Sequence, residues 1–225
     1  MAVEDVTHLL DKEMGTAWDP QSLMFAQFED GAVFNYDTAR IWDYDHMLDR
    51  DGKARTLEQV LTLPIRSAPQ SVVRGGARKE VADQIEHIMF APANNGGMST
   101  SMNLVTAQSL GAIVNRKAFF EKVLTERDGM IVYDKVAWRP ASTCVVKRDK
   151  KTAAFEGFTQ MPVTEGQTED IHIPADRAFV YIHGTHRNPL EGVSDLNIAY
   201  WCYQTKQKIR FLCCLLYTSD AADRS

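Results

Sequence analysis

The sequence lacks several features that would assign a chemistry by themselves. Its four cysteines, Cys144, Cys202, Cys213 and Cys214, form no Cys-x-x-Cys pair, so neither a zinc site nor a disulfide framework is indicated. No window approaches the roughly 18 consecutive apolar residues of a membrane span. The acidic N-terminus does not have the basic and apolar regions of a signal peptide. We therefore expect reduced thiols and a chain that stays in a cytoplasm.

Motifs that bind phosphate or build a nucleophile are missing as well. The glycine pairs at 75–76 and 96–97 do not have the spacing of a P-loop or of a dinucleotide-binding turn. No Gly-x-Ser-x-Gly elbow of a serine hydrolase occurs. From these residues we expect no cofactor and no enzymatic activity.

Histidine offers one alternative to that expectation. His183 and His186 are the only close histidine pair, and a glycine lies between them. Zinc proteases place two histidines at i and i+4 on a helix, a spacing that this pair does not have. With His172 as a third ligand, a metal-dependent hydrolase is nevertheless a second hypothesis.

Charge is distributed unevenly along the chain. The 225 residues contain 25 Lys and Arg against 30 Asp and Glu, a net charge of −5. The first 51 residues alone carry −9, so the remainder carries +4. A protein that grips DNA phosphates over a wide surface is usually basic, and this chain is not. We interpret residues 1–35 as an acidic N-terminal arm, which is either a solvated surface or a module that binds a partner.

Apolar periodicity predicts an α+β fold in which helices flank a central antiparallel β-rich region. One helix, ending near 51–52, would place Ile41, Tyr44 and Met47 on one face. A second amphipathic helix is predicted at 78–89. Its inward residues would be Val81, Ile85, Ile88 and Met89.

Breaker residues divide the rest of the first half. Thr56 is predicted to cap a short helix that ends at Pro64. The segment 68–74 is predicted as a strand and the glycine pair after it as a turn. Another helix is expected at 101–114.

The middle of the chain changes to the two-residue period of strands. Asp-Gly between apolar runs is a strong hairpin signal. The predicted strands are 118–125 and 130–138 as one hairpin, 144–147 and 153–160 as another, and 171–173 and 178–183 beyond them.

A long helix is predicted from Ser194 onward. Its apolar stripe consists of Ile198, Trp201, Cys202, Thr205, Ile209 and Leu212. Residues 214–223 match the translation of a transposon-end sequencing adapter. We therefore expect 214–225 to be a non-native tail on the N-terminal part of a longer protein, the alternative being a genuine polar tail.

Five short motifs occur in the order seen in tailed-bacteriophage portal proteins, which the sequence resembles over about residues 35–212. They lie at 62–69, 138–140, 173–177, 181–184 and 188–208. The resemblance implies that 62–69 is an extended segment, that 36–193 forms a wing-like α+β domain, and that 194–213 starts a truncated stem helix. The last motif is the most specific of the five.

The resemblance also implies a function. A portal is a structural, homo-oligomeric ring, implied to be a dodecamer, at one capsid vertex. Double-stranded DNA passes through it without specific binding, terminase docks on it during packaging, and capsid, scaffold, head-completion and connector proteins bind it. It is a component of the virion and occupies the host cytoplasm during assembly. Lys206, Lys208 and Arg210 would face DNA or bridge adjacent subunits, unless they form a solvated flank of the helix. A phage adaptor that binds a partner through residues 1–35 is the remaining alternative.

Overall fold

A computed structural model of the chain describes residues 36–127, 129–149, 151–161, 169–185 and 191–222. The helices in these ranges are α1 (Tyr36–Arg50), α2 (Gly52–Ser67), α3 (Lys79–Phe90), α4 (Met102–Ser109), α5 (Ala112–Asn115) and α6 (Leu196–Ala222). The strands are β1 (Lys117–Arg127), β2 (Met130–Arg139), β3 (Cys144–Arg148), β4 (Phe155–Gln160), β5 (Ile171–Pro174) and β6 (Ala178–Ile182). The predicted α+β class is confirmed, whereas the predicted acidic arm 1–35 lies outside the described residues.

The strands form two antiparallel sheets of three strands each. Their orders are β2-β1-β6 and β3-β4-β5. Both predicted hairpins are confirmed, because β1 pairs with β2 and β3 pairs with β4. In the second hairpin, the Asp149 carboxylate accepts hydrogen bonds from the backbone N–H groups of Lys151 and Thr152, at 2.8 and 2.6 Å. A short polar side chain of this kind fixes the turn locally.

Aromatic packing joins the two sheets. The rings of Phe119 on β1 and Phe158 on β4 meet edge to face, with centroids 5.1 Å apart. Ile173 and Ile41 complete this apolar cluster, so that α1 covers the place where the sheets meet. A second cluster joins α1 to α6 and is described below.

The helix expected to start at Thr56 begins earlier and ends later than predicted. Asp51 is its N-cap, accepting from the backbone N–H of Lys53 at 3.1 Å, and the Thr56 hydroxyl instead donates to the Gly52 carbonyl at 2.7 Å. The helix continues through Pro64. Proline removes one backbone donor, and an exposed helix face tolerates this loss because water can bind the carbonyl left over. The prediction of an extended 62–69 segment was therefore also wrong, because α2 ends at 67.

The predicted strand at 68–74 was wrong, although the turn after it is confirmed by a positive φ of 57° at Gly75. Pro69 has no backbone donor for a strand ladder, and Val73 is 88% exposed. The Gln70 side chain holds this segment against α4 by donating to Thr106 Oγ1 at 2.8 Å.

Helix α3 forms as predicted, but two of its four predicted inward residues are exposed, while Ile88 and Met89 are partly buried. Val81 and Ile85 are 37% and 43% exposed, and Ala82 is the one buried residue of this helix. The helix expected at 101–114 is divided into α4 and α5 at residues 110–111. None of the helices in the described ranges is long and apolar enough to cross a membrane.

Candidate functional site

The start of α6 is set by a tight turn against β6. Gly192 has a φ of +64°, a region that favours glycine. A Cβ there would lie 2.5 Å from the carbonyl oxygen of His183 and 2.8 Å from that of Arg116. The next residue, Val193, donates its N–H to the same His183 carbonyl at 2.9 Å. Glycine is therefore required at this point of the 188–208 motif, because the chain passes so close to β6.

Two polar residues then begin the helix. The buried Ser194 hydroxyl accepts from the backbone N–H of Leu196 at 3.1 Å, which satisfies a donor that the helix leaves open. Asp195 donates its own N–H to the Ile113 carbonyl at 3.0 Å, and its carboxylate lies 3.1 Å from His183 Nε2. The motif therefore fixes both the position and the direction of α6.

The inner face of α6 packs on α1. Leu196 and Tyr203 are buried against Tyr44 and Met47. The Tyr200 hydroxyl donates to Asp43 Oδ2 at 2.8 Å. The predicted apolar face of α1 is thus confirmed, and α6 is its partner.

The three predicted basic residues do not share one environment. Lys206 is ion-paired within the subunit, with its Nζ 2.7 Å from Asp51 Oδ2. That hydrogen bond, together with the N–H of Lys53, holds the pKa of Asp51 below its usual range. Lys208 and Arg210 are exposed. Their predicted role toward DNA or a neighbouring subunit stays a prediction.

The outer face of α6 is apolar and faces solvent in the subunit. Ile198 is 87% exposed and Trp201 69%, while Ile209 and Leu212 are 55% and 56% exposed. Together with Cys202 and Thr205 these residues form the predicted stripe, called here the outer stripe. A helix that is apolar on two opposite faces is normally covered on both, and α1 covers one of them.

A buried cluster of charges explains two of the other motifs. Glu121 on β1 is fully buried, with Oε2 2.6 Å from Arg139 and Oε1 3.4 Å from Arg177. Arg139 belongs to the 138–140 motif and Arg177 to the 173–177 motif. The two motif arginines therefore meet on one carboxylate, which ties β2 and the start of β6 to β1.

Glu121 was not predicted from the sequence. A single acid inside the apolar run that begins at Ala118 could have indicated it, because a charge on a buried strand needs a partner. The arginines lie 18 and 56 residues away, so the partners are not apparent from spacing.

The histidines predicted as metal ligands are only partly accounted for. His172 is exposed on β5, and His183 hydrogen-bonds Asp195. His186 lies outside the described residues. Among the residues that are described, no group of three His, Cys, Asp or Glu is placed to hold a metal ion. The hydrolase alternative gains no support from this geometry.

Comparison with known families gives the class of protein. The profile described as the portal protein of Mu bacteriophage matches residues 41–210, about three quarters of the chain and nearly all of the elements above. The class is therefore that of a structural phage protein. The chain belongs to the portal protein family of bacteriophage Mu, which confirms the resemblance drawn from the motifs. No curated protein sequence is similar enough to count as a match.

Proposed function

We propose that this chain is the subunit of a closed ring at one vertex of a phage capsid, and that DNA enters and leaves through that ring. The observation that carries the proposal is the family match over residues 41–210. The ring would be a virion component that assembles in the host cytoplasm. It would perform no catalysis of its own.

Exposed apolar surface supports the assembly. The outer stripe of α6 leaves four large side chains, Ile198, Trp201, Ile209 and Leu212, more than half exposed. Burying such area stabilises an association by roughly 25 cal/mol per Å² before the costs of binding are subtracted. Contacts between two unlike faces of identical subunits close into a ring when the rotation between subunits allows it.

The charge of the chain supports a passive conduit. Each phosphate that a protein neutralises adds salt-dependent affinity for DNA. The net charge of −5 suits a channel that does not hold DNA. The two exposed basic residues of α6, Lys208 and Arg210, do not reverse this overall balance.

Docking of a packaging motor and of head-completion proteins belongs to the same proposal. Terminase would bind the ring during packaging, and connector proteins would replace it afterwards. The acidic segment 1–35, with seven acids against one lysine, would attract a basic partner surface through its charge.

Electron microscopy and light scattering of the purified 225-residue chain test the ring. We expect closed rings with a central hole, and a mass that is a whole multiple of the 25.4 kDa subunit. A double variant, Ile198→Ser with Ile209→Ser, should stay monomeric because it makes the outer stripe polar. A monodisperse monomer of the unaltered chain at high concentration would contradict the proposal.

A further inference from the structure

We propose that the outer stripe of α6 in one subunit packs on α3 of the next subunit, with Lys208 facing Glu80 or Glu86, the acids that flank the apolar side of α3. The inference rests on the proposed ring and names the two surfaces that close it. The α3 surface is formed by Val81, Ile85 and Ile88, called here the α3 stripe.

The α3 stripe is also partly exposed, although less than the outer stripe, and Ile88 in it is partly buried. Val81 and Ile85 are 37% and 43% exposed although they share one helix face at i and i+4. Helix α3 is held to the rest of the subunit through its C-terminal end and the β2 hairpin. There, the Ile88 carbonyl accepts from the Met98 N–H at 2.9 Å, and the Gln84 amide lies 2.9 Å from Met130 Sδ.

The two stripes belong to different parts of the subunit. Helix α3 lies beside the β2 end of one sheet, whereas α6 lies on α1. A head-to-tail contact needs two unlike patches on each subunit, because one patch used by both partners gives a closed dimer instead. This pair of helices meets that requirement.

The charged residues favour α3 over the other helices that expose apolar side chains. Through residue 213, α6 carries three basic residues, Lys206, Lys208 and Arg210, and no acid. Helix α3 carries three acids against one lysine: Glu80 and Glu86 flank the α3 stripe, whereas Asp83 lies on the opposite side of the helix. Opposite charges at the edge of an apolar contact steer association and suppress wrong partners.

Two other surfaces that could bind the outer stripe carry positive charge, the same sign as α6. Helix α2 also exposes apolar residues, among them Val60 at 61% and Leu63 at 56%. Its charged residues, however, are three basic ones against one acid, namely Lys53, Arg55 and Arg66 against Glu58. A second α6 would likewise place basic residues opposite basic residues. Both pairings bring like charges together.

Lys208 is the basic residue that can reach a neighbour. Lys206 is occupied by Asp51, and Arg210, four residues further on, lies on the same side of α6 as Lys206. Lys208 is exposed and lies seven residues after Trp201, so it follows the same edge of the outer stripe.

The two helices also match in length. From Ile198 to Leu212 the outer stripe spans about 21 Å, and the twelve residues of α3 span about 18 Å at 1.5 Å per residue. Two helices of similar length can pack side by side over most of their length, with the side-chain ridges of one in the grooves of the other.

Cross-linking through a natural cysteine tests the contact. Cys202 is exposed in the outer stripe. Cys213→Ser and Cys214→Ser remove the other two exposed thiols. Cys144 stays, because it is buried and burial raises the pKa of its thiol to about 12. Ile85→Cys, or Val81→Cys if the first variant does not fold, then places one partner thiol on the α3 stripe.

Mild oxidation should give a ladder of covalent dimers, trimers and larger species on a non-reducing gel. Each subunit offers one thiol of each kind, so linkage continues around the ring. The control Asp83→Cys places the thiol on the opposite side of α3. It should give about tenfold less linked product, since a disulfide forms only when the two Cα atoms approach within about 7 Å.

Each other outcome overturns the inference in a recognisable way. Dimers from Cys202 alone would indicate an α6–α6 contact, and a ladder from Leu61→Cys instead would assign the partner to α2. A link within one subunit, to a cysteine introduced in residues 1–35, would assign the outer stripe to that segment. Rings without any Ile85→Cys ladder would reject this contact and leave the proposed function standing, whereas the absence of oligomers would reject the proposed function itself.

Discussion

The sheet interior and the helical surface of this subunit differ in how far their side chains are exposed to solvent. Inside, Phe158, Ile173 and even the charged Glu121 have no exposed surface. Outside, Ile198 and Trp201 are 87% and 69% exposed. The interior is packed by the subunit's own residues. The outer faces of α3 and α6 are not covered within one subunit, and the proposed ring would cover their apolar residues.

The largest effect should follow from removing the buried acid. Glu121→Gln would leave Arg139 and Arg177 buried without the carboxylate they share. We expect the free energy of unfolding to fall by about 3–5 kcal/mol, measured by urea denaturation. Glu156→Gln, at an exposed position of neighbouring β4, is the control and should change it by less than about 0.5 kcal/mol. A loss below about 1 kcal/mol for Glu121→Gln would show that the arginines are held by other groups.

A smaller effect is expected where the sheet meets α6. Gly192 and Gly129 both have positive φ, of 64° and 74°. A Cβ at Gly129 meets nothing within 4 Å, whereas one at Gly192 would lie 2.5 Å from a backbone oxygen. Gly129→Ala should therefore cost only the conformational penalty, about 1–2 kcal/mol. Gly192→Ala should cost about 3 kcal/mol, because the backbone must also move. Equal losses in thermal denaturation would mean that the turn before α6 relaxes freely.

These contrasts also explain what could be predicted from the sequence. The α1 face and the two hairpins follow from local periodicity and turn chemistry, and both are confirmed. The inward orientation of Val81 and Ile85 was wrong, because periodicity shows that a helix has an apolar face but not what covers it.

Non-local contacts account for the other failures. Whether a proline ends a helix depends on the surroundings of the freed carbonyl, so the end of α2 at residue 67 could not be inferred from Pro64 alone. The charge cluster at Glu121 joins residues that are far apart in sequence. The family motifs did contain both arginines, but nothing in their spacing named the shared acid.

Helix α1 contains an acid, Asp45, whose pKa in the folded chain differs from its ordinary value. Burial, with the nearby charge of Asp49, raises the pKa of Asp45 to about 6, against the opposing charge of His46. The folded state therefore binds a proton between about pH 4 and pH 6 that the unfolded state releases. This contribution to stability is present at low pH and is lost as the pH rises through 6.

Asp45→Asn should thus stabilise the fold at pH 8 by about 3 kcal/mol and change little at pH 4. Urea denaturation at the two pH values measures the difference. Asp170→Asn, at an exposed residue beside β5, serves as the control and should show no pH-dependent gain. A gain for Asp45→Asn that is the same at both pH values would exclude titration as its cause.

The smallest effect on folding should come from the outer stripe. The same change, isoleucine to serine, is made once in the sheet interior and once in the outer stripe to compare the two regions. Ile173→Ser replaces a fully buried residue and should cost about 3 kcal/mol or more, because it opens a cavity and buries a hydroxyl. Ile209→Ser replaces a residue that is 55% exposed, so the unfolding free energy of the monomer should change by less than about 0.5 kcal/mol. Light scattering should nevertheless show weakened assembly for Ile209→Ser, because the area it contributes is buried only between subunits. If Ile209→Ser instead destabilised the monomer as strongly as Ile173→Ser, the outer stripe would belong to the subunit's own core.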